Sequence, residues 1–257
     1  MLVTRLEEYA AKYNHVKLER DDLGILVATM HTDGHDLVWG HDPEEELASL
    51  WEDIARDPEN RVVVLTGSGE TFIDKEGFGG MSVTPEMWHR IHFTGRRLIM
   101  SHLDIEIPMI AAINGPATIH SEIALLCDIT LAAQTAVFAD HPHFSNGLVP
   151  GDGIQVIYPL LMGFNRGRYM LLTGQHIPAD EALSLGLINE VHTSADLMPR
   201  AMELARQLAA KPNLTLRSTR NLFSQQIRRM FQDNVGYGLM AEGLAAMDYW
   251  PSDDLGN

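Results

Sequence analysis

The chain has a single cysteine, Cys127, among 257 residues. No disulfide can close within it, which fits a reducing compartment. Cys127 ends the apolar run Ile123-Ala124-Leu125-Leu126 and reads as a buried, inert thiol. Basic residues are scarce: 19 Lys and Arg stand against 35 Asp and Glu, a net charge of −16. That balance repels nucleic-acid phosphates and anionic lipid surfaces, so neither is an expected partner. No run reaches the ~20 apolar residues that span a bilayer. Residues 1–14 are charged and carry no apolar signal core. These absences predict a cytoplasmic protein. Several motifs are missing too. Gly67-Ser68-Gly69 completes neither a phosphate loop nor a dinucleotide fingerprint. No Gly-x-Ser-x-Gly surrounds Ser68, Ser121 or Ser145, so nothing supports a serine hydrolase.

What is present reads as alternating strands and helices. Val16–Leu18 and Gly24–Met30 are predicted strands joined by a turn at Arg20-Asp21-Asp22. Glu44–Ala55 has helical periodicity, with Pro43 suited to its first turn. Residues 61–66 form an apolar strand, residues 85–101 a helix and residues 108–113 another strand. Asn114-Gly115-Pro116 is a turn, followed by a short helix over 121–126 and strands over 129–132 and 136–139. After Gly153 helices dominate, with predicted spans at 154–162, 166–172, 179–185, 197–210, 214–230 and 235–247. One strand, residues 188–191, interrupts them. The order implies an α/β superhelix or doubly wound sheet, divided into a core over residues 1–195 and a helical region over 196–257.

Twelve histidines are many for this length. The densest stretch is Asp140-His141-Pro142-His143-Phe144, followed by Pro150-Gly151-Asp152-Gly153. A histidine paired with a carboxylate can serve as a general base: the carboxylate fixes one ring nitrogen and the other takes a proton from water. The competing chemistry is a metal site, since Asp140, His141, His143 and Asp152 are suitable ligand types. Pro142 argues against the regular strand that would aim both histidines one way. There is also no His-Glu-x-x-His or Cys-x-x-Cys, and no metal is expected.

Three segments together resemble the crotonase, or enoyl-CoA hydratase/isomerase, superfamily. They are Val62 to Gly67 with Thr71-Phe72, Ile110 to Ala117 running on to Asp128, and Gly147 to Gly153 followed by Leu172-Thr173-Gly174 and Ala182 to Val191. The resemblance implies a spiral of ββα units with a C-terminal helical region used in trimer assembly. It departs from the hydratases where they do chemistry. Their glycine triplet after the Asn-Gly turn is replaced by Ile119-His120-Ser121, and their Ala-Gly-x-Asp loop by Asp74-Lys75-Glu76-Gly77. Of their two glutamates, Glu122 matches the first, while the second falls on His143.

The altered residues are similar to those of one subgroup, the β-diketone hydrolases typified by 6-oxocamphor hydrolase. Leu37-Val38-Trp39, His120, Asp140 to Phe144, Gly147 to Gly153, Asn165 to Tyr169 and Leu244-Ala245-Ala246 carry that likeness. It implies a His143–Asp152 dyad, an oxyanion site of His120 and Trp39, and a supporting Glu242. A further histidine of the subgroup has no clean match; His41 lies near it, out of register, and Glu45 falls closer. Trp39, His41, Phe78 and Phe144 are the expected substrate contacts, with Trp88 and Phe93 as further apolar candidates. The implied reaction is hydrolysis of a carbon–carbon bond in a non-enolisable β-diketone, with no cofactor and a homotrimer or dimer of trimers as the assembly. An acyl-CoA hydratase using Glu122 and a non-catalytic member of the fold are the alternatives.

Overall fold

The computed structural model describes residues 3–77 and 83–249. A short helix α1 (Leu6–Tyr9) leads into the hairpin of β1 (Val16–Arg20) and β2 (Ile25–Met30). A two-residue strand β3 (Val38–Trp39) precedes α2 (His41–Arg56), and β4 (Val62–Gly67) and β5 (Lys75–Glu76) follow. Then come α3 (Pro85–Asp104), β6 (Met109–Ile113), α4 (Glu122–Leu125), β7 (Ile129–Ala133) and β8 (Val137–Phe138). The remainder is α5 (Ile154–Met162), α6 (Phe164–Thr173), β9 (Ile177–Pro178), α7 (Ala179–Ser184), β10 (Glu190–His192), α8 (Ser194–Ala209) and α9 (Asn213–Asp248).

The main sheet has six strands in the order β1-β2-β4-β6-β7-β10. Only the β1–β2 pair is antiparallel. Two small sheets, β3-β5 and β8-β9, lie outside it. With the helices that follow the strands, this is the crotonase-type α/β architecture ending in a long helix. Both faces of the sheet are covered, which is why β4 and β6 are apolar at nearly every position. Val63, Leu65, Ala111 and Ile113 point into the larger core with Leu47, Trp51, Leu98 and Leu103 of α2 and α3. Val62, Val64, Ile110 and Ala112 point the other way. There α8 presents Leu197, Ala201, Ala205 and Ala209, one residue per turn on a single face. Thr84 caps α3 by accepting from Met87 N, and Pro85 occupies the first turn, where a missing N–H costs nothing.

The sequence predicts two helices over 214–247, but α9 is one helix of 36 residues. The intervening Phe231 is fully buried in the main core, so tertiary packing carries the helix through. Its glycines are sites of close approach. A Cβ on Gly243 would stand 2.0 Å from the Trp88 indole, and one on Gly238 would stand 2.2 Å from the Gly151 carbonyl. The Trp88 Nε1–H also donates to the Leu239 carbonyl at 2.7 Å. These contacts seat the end of α9 against α3 and the loop before α5.

Candidate active site

The loops after parallel strands β4, β6 and β7–β8 converge at one end of the sheet, where α/β folds usually mount function. Asn114 pins two of them together. Its Oδ1 accepts from Gly67 N at 3.1 Å and its Nδ2 donates to the Thr71 carbonyl at 2.9 Å. Thr118 N then donates to the Ile73 carbonyl at 3.0 Å, and His141 N to the Thr118 carbonyl at 2.9 Å. The backbone framework thus sets residues 118–122 beside residues 140–143.

His120 is held at φ 46°, in the left-handed region, which a residue with a Cβ seldom adopts. Its ring lies on the Trp39 indole with centroids 4.2 Å apart. Its Nδ1 meets Glu122 Oε1 at 2.7 Å and Asp152 Oδ2 at 3.3 Å. The His143 ring is buried, and its Nδ1 donates to Asp140 Oδ1 at 2.5 Å. Its Nε2 faces Glu242 Oε1 at 3.4 Å and Asp152 Oδ2 at 3.8 Å. The carboxylate that orients His143 is therefore Asp140, not the Asp152 of the expected dyad. Asp152 stands between the two rings, with its other oxygen accepting from Ile154 N at 3.3 Å.

A cavity of about 70 Å³ is lined by His120, His143, Asp152 and Glu242 together with Glu44, Trp88 and other residues. At roughly 30 Å³ each it has room for about two waters. Glu122 Oε2, Asp140 Oδ2, Asp152 Oδ2 and Glu242 Oε2 are all buried without a hydrogen-bond partner among the described residues. So is Trp39 Nε1.

This clustering sets the electrostatics. Burial opposes charge on His120, but Glu122, Asp152 and Glu44 outweigh it and raise the ring to about 10. Burial likewise opposes charge on His143, and Asp140, Asp152 and Glu242 raise it well above the usual imidazole range. Burial pushes Glu44 up to about 7. Burial and the neighbouring Asp152 also raise Glu122, and burial raises Glu242. Each shift has the same origin: carboxylates and imidazoles brought together at a buried site.

Not every expected contact is in this cavity. Trp39 is fully buried behind His120. His41 opens α2 and lines a separate outer cavity of about 220 Å³ with Glu45, His89, Arg90, Phe93 and Thr94. Phe144 sits in a single 3-10 turn, 47% exposed and away from the cavity. Phe78 lies outside the described residues. Glu44, which sequence reasoning left out, is buried on the cavity wall. Asp140, considered there as a carboxylate partner and a metal ligand, holds His143 three residues on. His141 is exposed, set apart from the buried His143. A different trio, His120, Glu122 and Asp152, has ligand atoms all within 4.8 Å of one another, close enough to hold a cation. Among the described residues, no helix is long and apolar enough to cross a membrane.

Comparison with known proteins agrees with the fold. The family model for enoyl-CoA hydratase/isomerase matches residues 40–237. A short-chain-enoyl-CoA hydratase from Clostridium acetobutylicum is 30% identical over 94% of this chain and 91% of its own. Among solved structures, a β-diketone hydrolase from the cyanobacterium Anabaena, bound to (S)-3-oxocyclohexyl acetic acid, is 42% identical. It superposes with a TM-score of 0.92, covering 94% of this chain and 97% of the other. An enoyl-CoA hydratase/isomerase from Mycobacterium paratuberculosis is 28% identical, with a TM-score of 0.84 over 91% of this chain and 94% of the other. The chain belongs to the enoyl-CoA hydratase/isomerase family, the crotonase superfamily.

Proposed function

We propose that this protein hydrolyses a carbon–carbon bond of a cyclic, non-enolisable β-diketone, giving a keto acid. The observation that carries the reading is the pair of imidazoles, His120 and His143, set around Asp152 on one buried cavity. The likeness to the Anabaena β-diketone hydrolase supports it.

In the neutral form of His143, Asp140 keeps the proton on Nδ1, so the lone pair of Nε2 is available to water. Water attacks one carbonyl as Nε2 takes its proton. The resulting imidazolium is stabilised by Asp140, Asp152 and Glu242. Charge builds on the carbonyl oxygen. His120 binds its Nδ1 to Glu122 and Asp152, leaving Nε2–H for that oxyanion. The Trp39 indole packs against that ring and backs it, its own N–H buried without a partner and off the cavity lining. Losing an oxyanion donor typically lowers turnover by about 10²–10³. Collapse of the tetrahedral adduct breaks the carbon–carbon bond, and the electron pair passes to the second ketone as an enolate. The proton held by His143 then returns to carbon. The second carbonyl is the electron sink, so the reading requires no cofactor.

Trp88 and Ile91 form the apolar wall against which the substrate ring would pack. The test is incubation with a panel of cyclic and bicyclic 1,3-diketones, following loss of diketone and release of keto acid. No turnover of any member would refute the reading. A second reading, hydration of an acyl-CoA thioester, is favoured by the hydratase relatives and by the retained Glu122. Crotonyl-CoA turnover that disappears in Glu122→Gln would support it.

The assembly proposed is a homotrimer or dimer of trimers. Tyr237, Met240 and Leu244 of α9 are large apolar side chains exposed on one chain, as an interface requires. Light scattering after size exclusion distinguishes these from a monomer.

A further inference from the structure

The cavity holds a carboxyl that the reaction above does not use. Glu44 projects from the first turns of α2, is only 4% exposed and lines the same cavity as His143 and His120. One oxygen, Oε1, accepts from the Thr94 hydroxyl of α3 at 2.7 Å. That contact fixes the carboxyl in place. The charged and titratable groups whose fields reach it are His120, Glu242 and Asp152.

We propose that Glu44 is the acid that protonates the enolate oxygen released when the carbon–carbon bond breaks. The inference rests on the β-diketone hydrolase reading. The step balances as follows. Water supplies a hydroxyl to the attacked carbonyl and a proton to His143 Nε2. As the bond breaks, its electron pair forms the enolate, and the Glu44 carboxyl gives its proton to the enolate oxygen, producing a neutral enol. His143 then delivers its proton to the enol carbon while the enol O–H returns its proton to the Glu44 carboxylate. The sum is addition of one water, with both residues restored.

The arrangement suits this task. His120 serves the oxygen that becomes the acid group, so the second oxygen needs its own partner. An enolate left bare in a cavity already rich in carboxylates would be strongly repelled, and a neutral carboxyl removes that repulsion. Burial keeps Glu44 in its neutral form to about pH 7, which is what a donor requires.

The test uses the full chain and the best diketone of the panel. Glu44→Gln keeps the shape and an oxygen for Thr94 but has no acidic proton. Turnover should fall about 10²-fold, with KM changed less than about threefold. A second readout isolates the enol step: exchange of the α-hydrogens of the product keto acid in deuterium oxide, which needs no bond cleavage. It should be lost in Glu44→Gln to the same degree as turnover. Glu44→Ala should regain rate on addition of formate, a response that a purely structural role would not give. Turnover and exchange in Glu44→Gln within about twofold of wild type would overturn the proposal. So would a failure of formate to rescue Glu44→Ala. A wild-type enzyme inactive on every diketone would instead remove the underlying reading, and the role of Glu44 with it.

Discussion

The sharpest perturbation is Asp140→Asn, because it separates the observed partner of His143 from the one expected by resemblance. Asp140 Oδ1 lies 2.5 Å from His143 Nδ1, and both side chains are buried. With the charge centres about 4 Å apart, their attraction is about 4 kcal/mol at an effective dielectric constant of about 20. An asparagine removes that term. Its amide can also donate to Nδ1, which moves the ring proton to Nε2 and points an N–H at the water instead of a lone pair. At about 1.4 kcal/mol per decade, the electrostatic loss alone corresponds to about three decades in turnover. The expected result is a fall in kcat of about 10³, with little change in KM and an intact fold. Asp152→Asn acts from 3.8 Å on the other nitrogen and should cost less, about 10–10² in kcat. Steady-state kinetics on the best diketone give both numbers, and nitrogen NMR of the His143 ring reads the tautomer directly. If Asp140→Asn retained a third of wild-type turnover while Asp152→Asn lost three decades, the assignment of roles would be wrong.

Three further outcomes are expected. His143→Ala should lower kcat by about 10³ or more, and His120→Ala should do the same while also raising KM, since only the second ring binds the substrate oxygen. Full activity in either variant would remove that residue's role. Stability should decline as pH rises. Glu44 and His120 both bind protons more tightly when folded, to about 7 and about 10. Their contribution is complete below the unfolded values, about 4.5 and 6.5, and is lost as pH climbs through the folded ones. Tm should therefore fall between pH 6 and 10, and a rise across that window would contradict the buried-proton account. Gly243→Ala should destabilise by about 1–3 kcal/mol in urea titration, because its Cβ would stand 2.0 Å from the Trp88 indole. A neutral effect would mean that α9 can shift freely.

Much of the scaffold was legible from periodicity. The continuous apolar runs of β4 and β6 announce strands covered on both faces, and Thr84-Pro85 marks the start of α3. The single α9 was not legible, because residues 231–234, with the polar Gln232-Asp233-Asn234, fall between the two predicted spans. What overrides them is burial of Phe231 and the close seating of Gly238 and Gly243. At the site, His120, His143, Asp152 and Glu242 line one cavity. Asp140 reaches Nδ1 of His143 because the turn over residues 141–143 brings it under the ring, and sequence spacing alone did not choose between Asp140 and Asp152. Glu44 was missed for a related reason. An acidic residue in the first turns of a helix ordinarily serves the helix dipole, and only the tertiary fold shows that it faces inward. His41 and Phe144 are near the motif in sequence, but His41 lines the outer cavity and Phe144 is exposed.

The left-handed backbone of His120 gives a last, quantitative check on how the histidine is accommodated. At φ 46° a residue with a Cβ is destabilised by roughly 1–2 kcal/mol, and glycine is not. Against this, glycine loses about 0.5–1 kcal/mol more than alanine through its freer unfolded chain. The strain is the larger quantity. His120→Gly should therefore be more stable than His120→Ala by roughly 0.5–1 kcal/mol, although neither can bind the oxyanion. Both variants lose the Nδ1 contact with Glu122 and the stack on Trp39 equally, so the difference isolates the backbone. If alanine proved the more stable of the two, the strain would be smaller than glycine's entropy cost of about 0.5–1 kcal/mol, and the contacts to Glu122 and Asp152 would have little strain to offset.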